Sequence, residues 1–190
     1  MLKVPLEEFI PAVVKGGVTC IQMRNKGRTS WEKFFVGQMV MKLLADTDVL
    51  FVVNDRADLA ATLGADIVHI GAKDIPLSVA KKTFSKMKFG YSCNDEDDIE
   101  IAKQADYIGV GPAFPTTTKE DLRGLLGPEG IAELVKLTDK PAVAIGGINA
   151  SNAEQLKDTG VAGIAVSSAI CAAEDPYKAA KELREIVDKF

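Results

Sequence analysis

With 190 residues, 47% hydrophobic and 26% charged, the chain has enough apolar material for one good core and too little for two full-sized domains, so a single domain over 1–190 is expected. Its formal net charge of -4, with Lys and Arg scattered along the chain, offers no basic stripe to grip nucleic acid. Carboxylates interrupt the opening MLKVPLEEFIPAVV, where a signal peptide needs an apolar stretch, and no later run approaches the ~18 apolar residues of a membrane span, so a cytoplasmic protein free of membrane is expected.

The chain opens on a helical pattern near 5–15 and then alternates β-rich runs with helical stretches. The runs are Thr19–Met23, Val49–Val53, Ile67–Ile70, Lys88–Ser92, Tyr107–Val110, Ala142–Ile145 and Gly163–Val166. Helical patterns lie near 30–46, 56–63, 76–86, 95–104, 128–138, 150–159 and 174–189, with Ser30, Asp95 and Asp175 as caps and Gly64 and Gly160 as helix ends. This beat predicts βα units, and runs apolar throughout, without strict alternation, predict parallel strands covered on both faces. Eight helical patterns against seven runs fit an α/β TIM (β/α)₈ barrel that lacks its first strand in the numbered sequence, one more strand preceding Leu2. An open doubly wound sheet is the alternative, although the repeated turns before strands (GGVT, LGAD, TGVAG) favour the barrel.

Cys20, Cys93 and Cys171 are far apart and show no CxxC or Cys/His spacing, which predicts reduced and mostly buried thiols. His69, the only histidine, lies inside IVHIG and is expected to be a packed, hydrogen-bonded core residue, which argues against a Ser/His or Cys/His nucleophile. Phe34, Phe35, Met39 and Met41, near Trp31, are expected to pack in the core. The acidic run from Asn94 to Asp98 suits a helix N-terminus.

Parallel α/β folds carry their chemistry just past the strand C-termini, and the residues there are polar and charged. Arg24 and Lys26, two apart, can both offer cations to one polyanion, or else form a solvated basic turn. Asp55 and Asp74 follow successive runs; two carboxylates among cations suit Mg²⁺ bridging diphosphate oxygens, and each could equally be a helix cap or surface charge. Gly146-Gly147, with Ser167-Ser168 after the last run, resembles the barrel phosphate site, against the alternative of a tight turn that needs glycine. Thr116, Thr117, Thr118 and Lys119 form a hydroxyl-rich segment with one cation, suited to an anion-binding loop or to a plain threonine-rich loop.

The segments GVTCIQMRNK, FVVNDRADLA, GADIVHIGAKD, GYSC, DYIGVGPAFPTTTK, AVAIGGI and AVSSAI, in this order, resemble the thiamine-phosphate synthase family from Gly16 to the C-terminus. The resemblance implies a transferase that joins 4-amino-5-hydroxymethyl-2-methylpyrimidine diphosphate to 4-methyl-5-(2-phosphoethyl)thiazole, giving thiamine phosphate and diphosphate. It implies that Gln22, Arg24, Lys26, Asn54, Ser92 and Lys119 bind the pyrimidine diphosphate and that Asp55 and Asp74 hold Mg²⁺. It further implies that Thr116, Thr118, Gly147, Ser167 and Ser168 take the thiazole phosphate and that Arg24, Lys26 and Lys119 stabilise the departing diphosphate. The pattern departs from the family in the missing opening strand, in Ala72 where Gln is common and in Asn25 where Glu is common. A thiazole tautomerase on the same barrel is the nearest alternative; those relatives carry a histidine where this chain reads Cys93-Asn94. A catalytically silent phosphate-binding barrel is the other. A homo-oligomer is compatible with the sequence, which leaves the oligomeric state open.

Overall fold

The β-rich runs pair side by side in chain order, each parallel to the next. The computed structural model describes residues 2–25, 27–116 and 124–190. Among them the strands are β1 (Cys20–Met23), β2 (Leu50–Asn54), β3 (Ile67–Ile70), β4 (Lys88–Cys93), β5 (Tyr107–Val110), β6 (Ala142–Ile145) and β7 (Gly163–Ala165). The helices are α1 (Leu6–Lys15), α2 (Ser30–Leu44), α3 (Ala57–Leu63), α4 (Leu77–Thr83), α5 (Glu96–Ala102), α6 (Gly127–Val135), α7 (Ser168–Cys171) and α8 (Pro176–Val187), with a 3₁₀ turn at Ala153–Leu156. This is an α/β barrel of the TIM type short of one strand, with β1 and β7 at the edges of its sheet. The open doubly wound order, in which strand sequence reverses about a switch point, is absent among the described residues.

Register sorts the side chains into two faces, because partners in a parallel ladder point to the same side. Val53, Val68, Phe89 and Ile108 face the helices and are at most 1% exposed. Burying each contributes about 1.5–3 kcal/mol. The opposite face carries Gln22, Asn54, His69, Ser92 and Val143, and it is closed only in the middle. On the edge strand β1 Cys20 is exposed, the edge strand β7 is only partly buried along its length, and Ile145, the last residue of β6, is 41% exposed. Burial on both faces therefore holds for the central strands and fails at the edges, and Cys20 is not a buried thiol as the sequence suggested.

Side-chain caps start three of the helices, α2, α5 and α8. Asp95 accepts the Asp98 N–H at 2.9 Å and Asp175 accepts the Lys178 N–H at 3.0 Å, as expected. For α2 the cap is Thr29 rather than Ser30: its hydroxyl accepts the Glu32 N–H at 3.2 Å while Glu32 accepts the Thr29 N–H at 2.9 Å. That bond lowers the Glu32 carboxyl below its ordinary pKa. Gly64 ends α3 in the left-handed conformation (φ 73). Helix α2 also departs from the core expectation at Phe35 and Met39, which are 47% and 38% exposed, beside Trp31 at 70%. Its apolar residues run around the whole helix, so only the stripe of Gly37, Val40 and Leu44 can face the sheet side.

Candidate active site

The strand order places the site residues around one rim. Extending the β1–β2 register (Gln22 beside Val52) sets Arg24 beside Asn54, both at strand ends. Asn54 pairs with His69 across β2 and β3, and Ser92 pairs with Gly109 across β4 and β5. Ile145 pairs with Ala165, so Gly147 and Ser167 stand two residues past that pair on adjoining strands. Lys26, Thr117, Thr118 and Lys119 lie outside the described residues. The other expected site residues follow the strand order: Gln22, Arg24, Asn54, Asp55, Asp74 and Ser92 come from β1 to β4, Thr116, Gly147, Ser167 and Ser168 from β5 to β7.

Asp55 is the only non-glycine with positive φ among the described residues (φ 66). Such a conformation costs about 1–3 kcal/mol and persists where surrounding bonds dictate it. Here the Asp55 N–H donates to the His69 carbonyl at 2.9 Å and the Arg56 N–H to the Asn54 carbonyl at 2.8 Å, which turns the chain sharply at the strand end. The Asn54 amide also donates to the Asp55 carboxylate. Asp74 accepts the Gly71 N–H at 2.8 Å, and a Cβ on Gly71 would stand 3.8 Å from that Asp74 oxygen and 3.7 Å from Ser92 Oγ. The end of β3 therefore brings Asp74 near Ser92. Hard carboxylate oxygens held by amides suit Mg²⁺, which takes one or two protein carboxylates and fills its remaining positions with water and substrate phosphate. No group of three or more His, Cys, Asp or Glu gathers among the described residues, so further ligands would come from those sources.

Arg56 is spoken for. It donates to Asp58 at 2.8 Å through Nε and to Ser30 at 2.9 Å through Nη1, and the contact holds the Asp58 carboxyl below its ordinary pKa. Arg24 is exposed at the rim. Beside Asp55 a cavity of about 180 Å³ is lined in part by Asn25, Lys33, Asn54 and Arg56. Lys33 had no sequence signal, since its place on a helix gives no hint that it faces a strand end.

Farther along the same rim, past β6, Gly146 and Gly147 both have positive φ (99 and 67). A Cβ at Gly147 would come within 2.5 Å of the Phe114 and Pro115 carbonyl oxygens, so glycine is required by both space and backbone angle. Ser167 precedes α7, and its carbonyl accepts the Cys171 N–H at 2.8 Å.

Beneath the rim lies a polar cluster. His69 is 7% exposed, with Nδ1 2.7 Å from the Tyr107 hydroxyl and Nε2 2.9 Å from Ser92 Oγ. The expectation of a packed, hydrogen-bonded histidine holds, and the fold adds its pairing with Ser92. Burial pushes the Tyr107 phenol above its ordinary pKa, Cys20 adds to the rise, and a hydrogen bond from Gln22 opposes it. Tyr107 read only as a strand residue; its role depends on what β3 places across from it.

A family model described as thiamine monophosphate synthase matches residues 3–170. The chain belongs to this family. Among its relatives, the thiamine-phosphate synthase of Archaeoglobus fulgidus is 45% identical over 188 residues, covering 97% of this chain and 88% of the relative. The solved thiamine phosphate pyrophosphorylase of Pyrococcus furiosus is 40% identical with a TM-score of 0.91, covering 99% of this chain and 91% of that one. The 3-hexulose-6-phosphate synthase of Salmonella typhimurium shares the fold at 18% identity and a TM-score of 0.76, covering 100% of this chain and 97% of that one. Against the thiamine monophosphate synthase family, the rim described here is the strand-end region where the family motifs of this sequence lie.

Proposed function

We infer that this single-domain chain is a transferase of thiamine biosynthesis, condensing 4-amino-5-hydroxymethyl-2-methylpyrimidine diphosphate with 4-methyl-5-(2-phosphoethyl)thiazole to give thiamine phosphate and diphosphate. Family membership carries the reaction; the division of the rim into two arcs supports the assignment of residues to substrates. Gln22, Arg24, Asn54 and Ser92 line the arc from β1 to β4 and take the pyrimidine diphosphate, together with Lys26 and Lys119. Gly147, Ser167, Ser168 and Thr116 line the arc from β5 to β7 and take the thiazole phosphate, together with Thr118. Among the described residues the first arc carries Arg24 with the Asp55 and Asp74 carboxylates and the second carries glycine backbone and hydroxyls, while Lys119, which follows β5 in the chain, is assigned to the diphosphate by the resemblance.

Asp55 and Asp74 would hold Mg²⁺, which when bound neutralises charge on the diphosphate oxygens. The chain's own residues do the rest by position and charge. Arg24, Lys26 and Lys119 stabilise the departing diphosphate as the bond to the pyrimidine methylene breaks, and the second arc holds the thiazole nitrogen ready to attack the resulting delocalised cation. The reaction asks for no protein nucleophile. Both substrates are phosphorylated small molecules, which suits a cytoplasmic site; no helix among the described residues is long and apolar enough to cross a membrane.

The test is diphosphate release by the purified protein given both substrates, with Mg²⁺ and with chelator. Magnesium-dependent release that requires both substrates is the expected result. Folded protein releasing none would overturn the assignment.

A further inference from the structure

Tyr107, His69 and Ser92 form a continuous hydrogen-bonded line across three neighbouring strands, from inside the barrel to its rim. The line is built in, because the strands give up side chains to make room for it. A Cβ at Gly90 would overlap the Tyr107 ring and come within 2.6 Å of His69 Nδ1, and one at Gly109 would stand 3.1 Å from His69 Cε1. Two glycines on adjoining strands thus clear the space in which the imidazole lies.

The direction of the line follows from acidity. A phenol is a much stronger proton donor than an alkyl hydroxyl, so the imidazole nitrogen facing Tyr107 accepts and the one facing Ser92 donates. A serine oxygen that accepts the Nε2–H keeps its own O–H free for another acceptor. We propose that His69, its tautomer set by Tyr107, is a positioning residue that holds Ser92 with its hydroxyl hydrogen directed to an anionic oxygen of the pyrimidine diphosphate. The inference rests on the reading of Ser92 as a contact to that substrate.

His69 is the only histidine of the chain, so imidazole-nitrogen NMR of isotope-labelled protein reports it alone. The expected spectrum has a pyridine-like Nδ1 and a pyrrole-like Nε2 in the wild type, and the two signals move toward each other in Tyr107→Phe. An averaged or reversed pair in the wild type overturns the proposal. In kinetics, Tyr107→Phe and His69→Leu raise KM for the pyrimidine diphosphate roughly tenfold or more, the loss of one hydrogen bond to a charged group, while KM for the thiazole phosphate stays within about twofold. His69→Gln, which can place an amide N–H near the Nε2 position, recovers part of the loss. An equal rise for both substrates, or no recovery, overturns the positioning role. Ser92→Ala separates the two readings: unchanged kinetics remove Ser92 from the site and the line with it, whereas an impaired Ser92→Ala beside normal Tyr107→Phe and His69→Leu overturns the line alone.

Discussion

Gly90 pairs with Tyr107 across β4 and β5, and the phenol ring occupies the place where any side chain at residue 90 would begin. Gly90→Ala must push the ring off His69 or spread the two strands. The expected cost is about 1–3 kcal/mol, as for other overpacked cores, with a disturbed imidazole signal. Urea unfolding checks the first and nitrogen NMR the second; an unchanged midpoint would mean that the ring has room to move.

Asp55→Asn keeps a side chain that tolerates the left-handed backbone but removes the negative charge. Turnover should fall sharply and the Mg²⁺ dependence should shift to higher concentration, with folding intact by circular dichroism. A Mg²⁺ titration of initial rates is the check, and wild-type kinetics would take Asp55 out of the metal site.

Ser168→Ala and Arg24→Ala should separate the arcs. The first raises KM for the thiazole phosphate, the second for the pyrimidine diphosphate, each by roughly tenfold or more if a charge-assisted bond is lost. Isothermal titration with each substrate measures this. Equal weakening of both ligands by either variant contradicts the division.

The buried Cys93 thiol is pushed up to about 12 by burial, with Asp98 and then Asp95 adding to the rise from an ordinary value of 9.0. An unfolded chain releases this proton near pH 9 and the folded chain retains it, so the contribution is complete below that pH and is lost as pH rises toward 12. Cys93→Ala should lower stability at neutral pH by leaving a small cavity, yet flatten the alkaline decline. Urea midpoints measured from about pH 8 to 11 test it; parallel curves for the two proteins would refute the assignment.

Thr29→Ala removes the α2 cap and should cost about 1 kcal/mol, a fall in Tm of roughly 2–4 °C, while Ser30→Ala should cost less. Thermal unfolding of both variants decides which residue caps the helix.

Much of the fold was legible because strands of a parallel sheet announce themselves locally. Ile67–Ile70, Tyr107–Val110 and Ala142–Ile145 need little beyond their own apolar content, and all three begin and end where the sequence places them. Helix ends were less legible: Thr29 and Ser30 are both good caps by type, and only the reach of Glu32 back to Thr29 distinguishes them. Exposure was least legible. Cys20 and Phe35 look like core residues, but Cys20 lies on an edge strand and Phe35 on the outer side of α2, and neither fact is written in its neighbours.

The candidate site divides in the same way. By itself, the sequence determined which residues stand at strand ends, because a short apolar run followed by Asn54-Asp55 or Gly146-Gly147 marks both the strand and its exit. Only the tertiary structure decided which of them meet. Ser92, His69 and Tyr107 are separated by up to 38 residues and touch because register sets three strands side by side with glycines opposite the rings. Pairing between strands is a long-range choice made by packing and backbone hydrogen bonds, and no local pattern of residues encodes it.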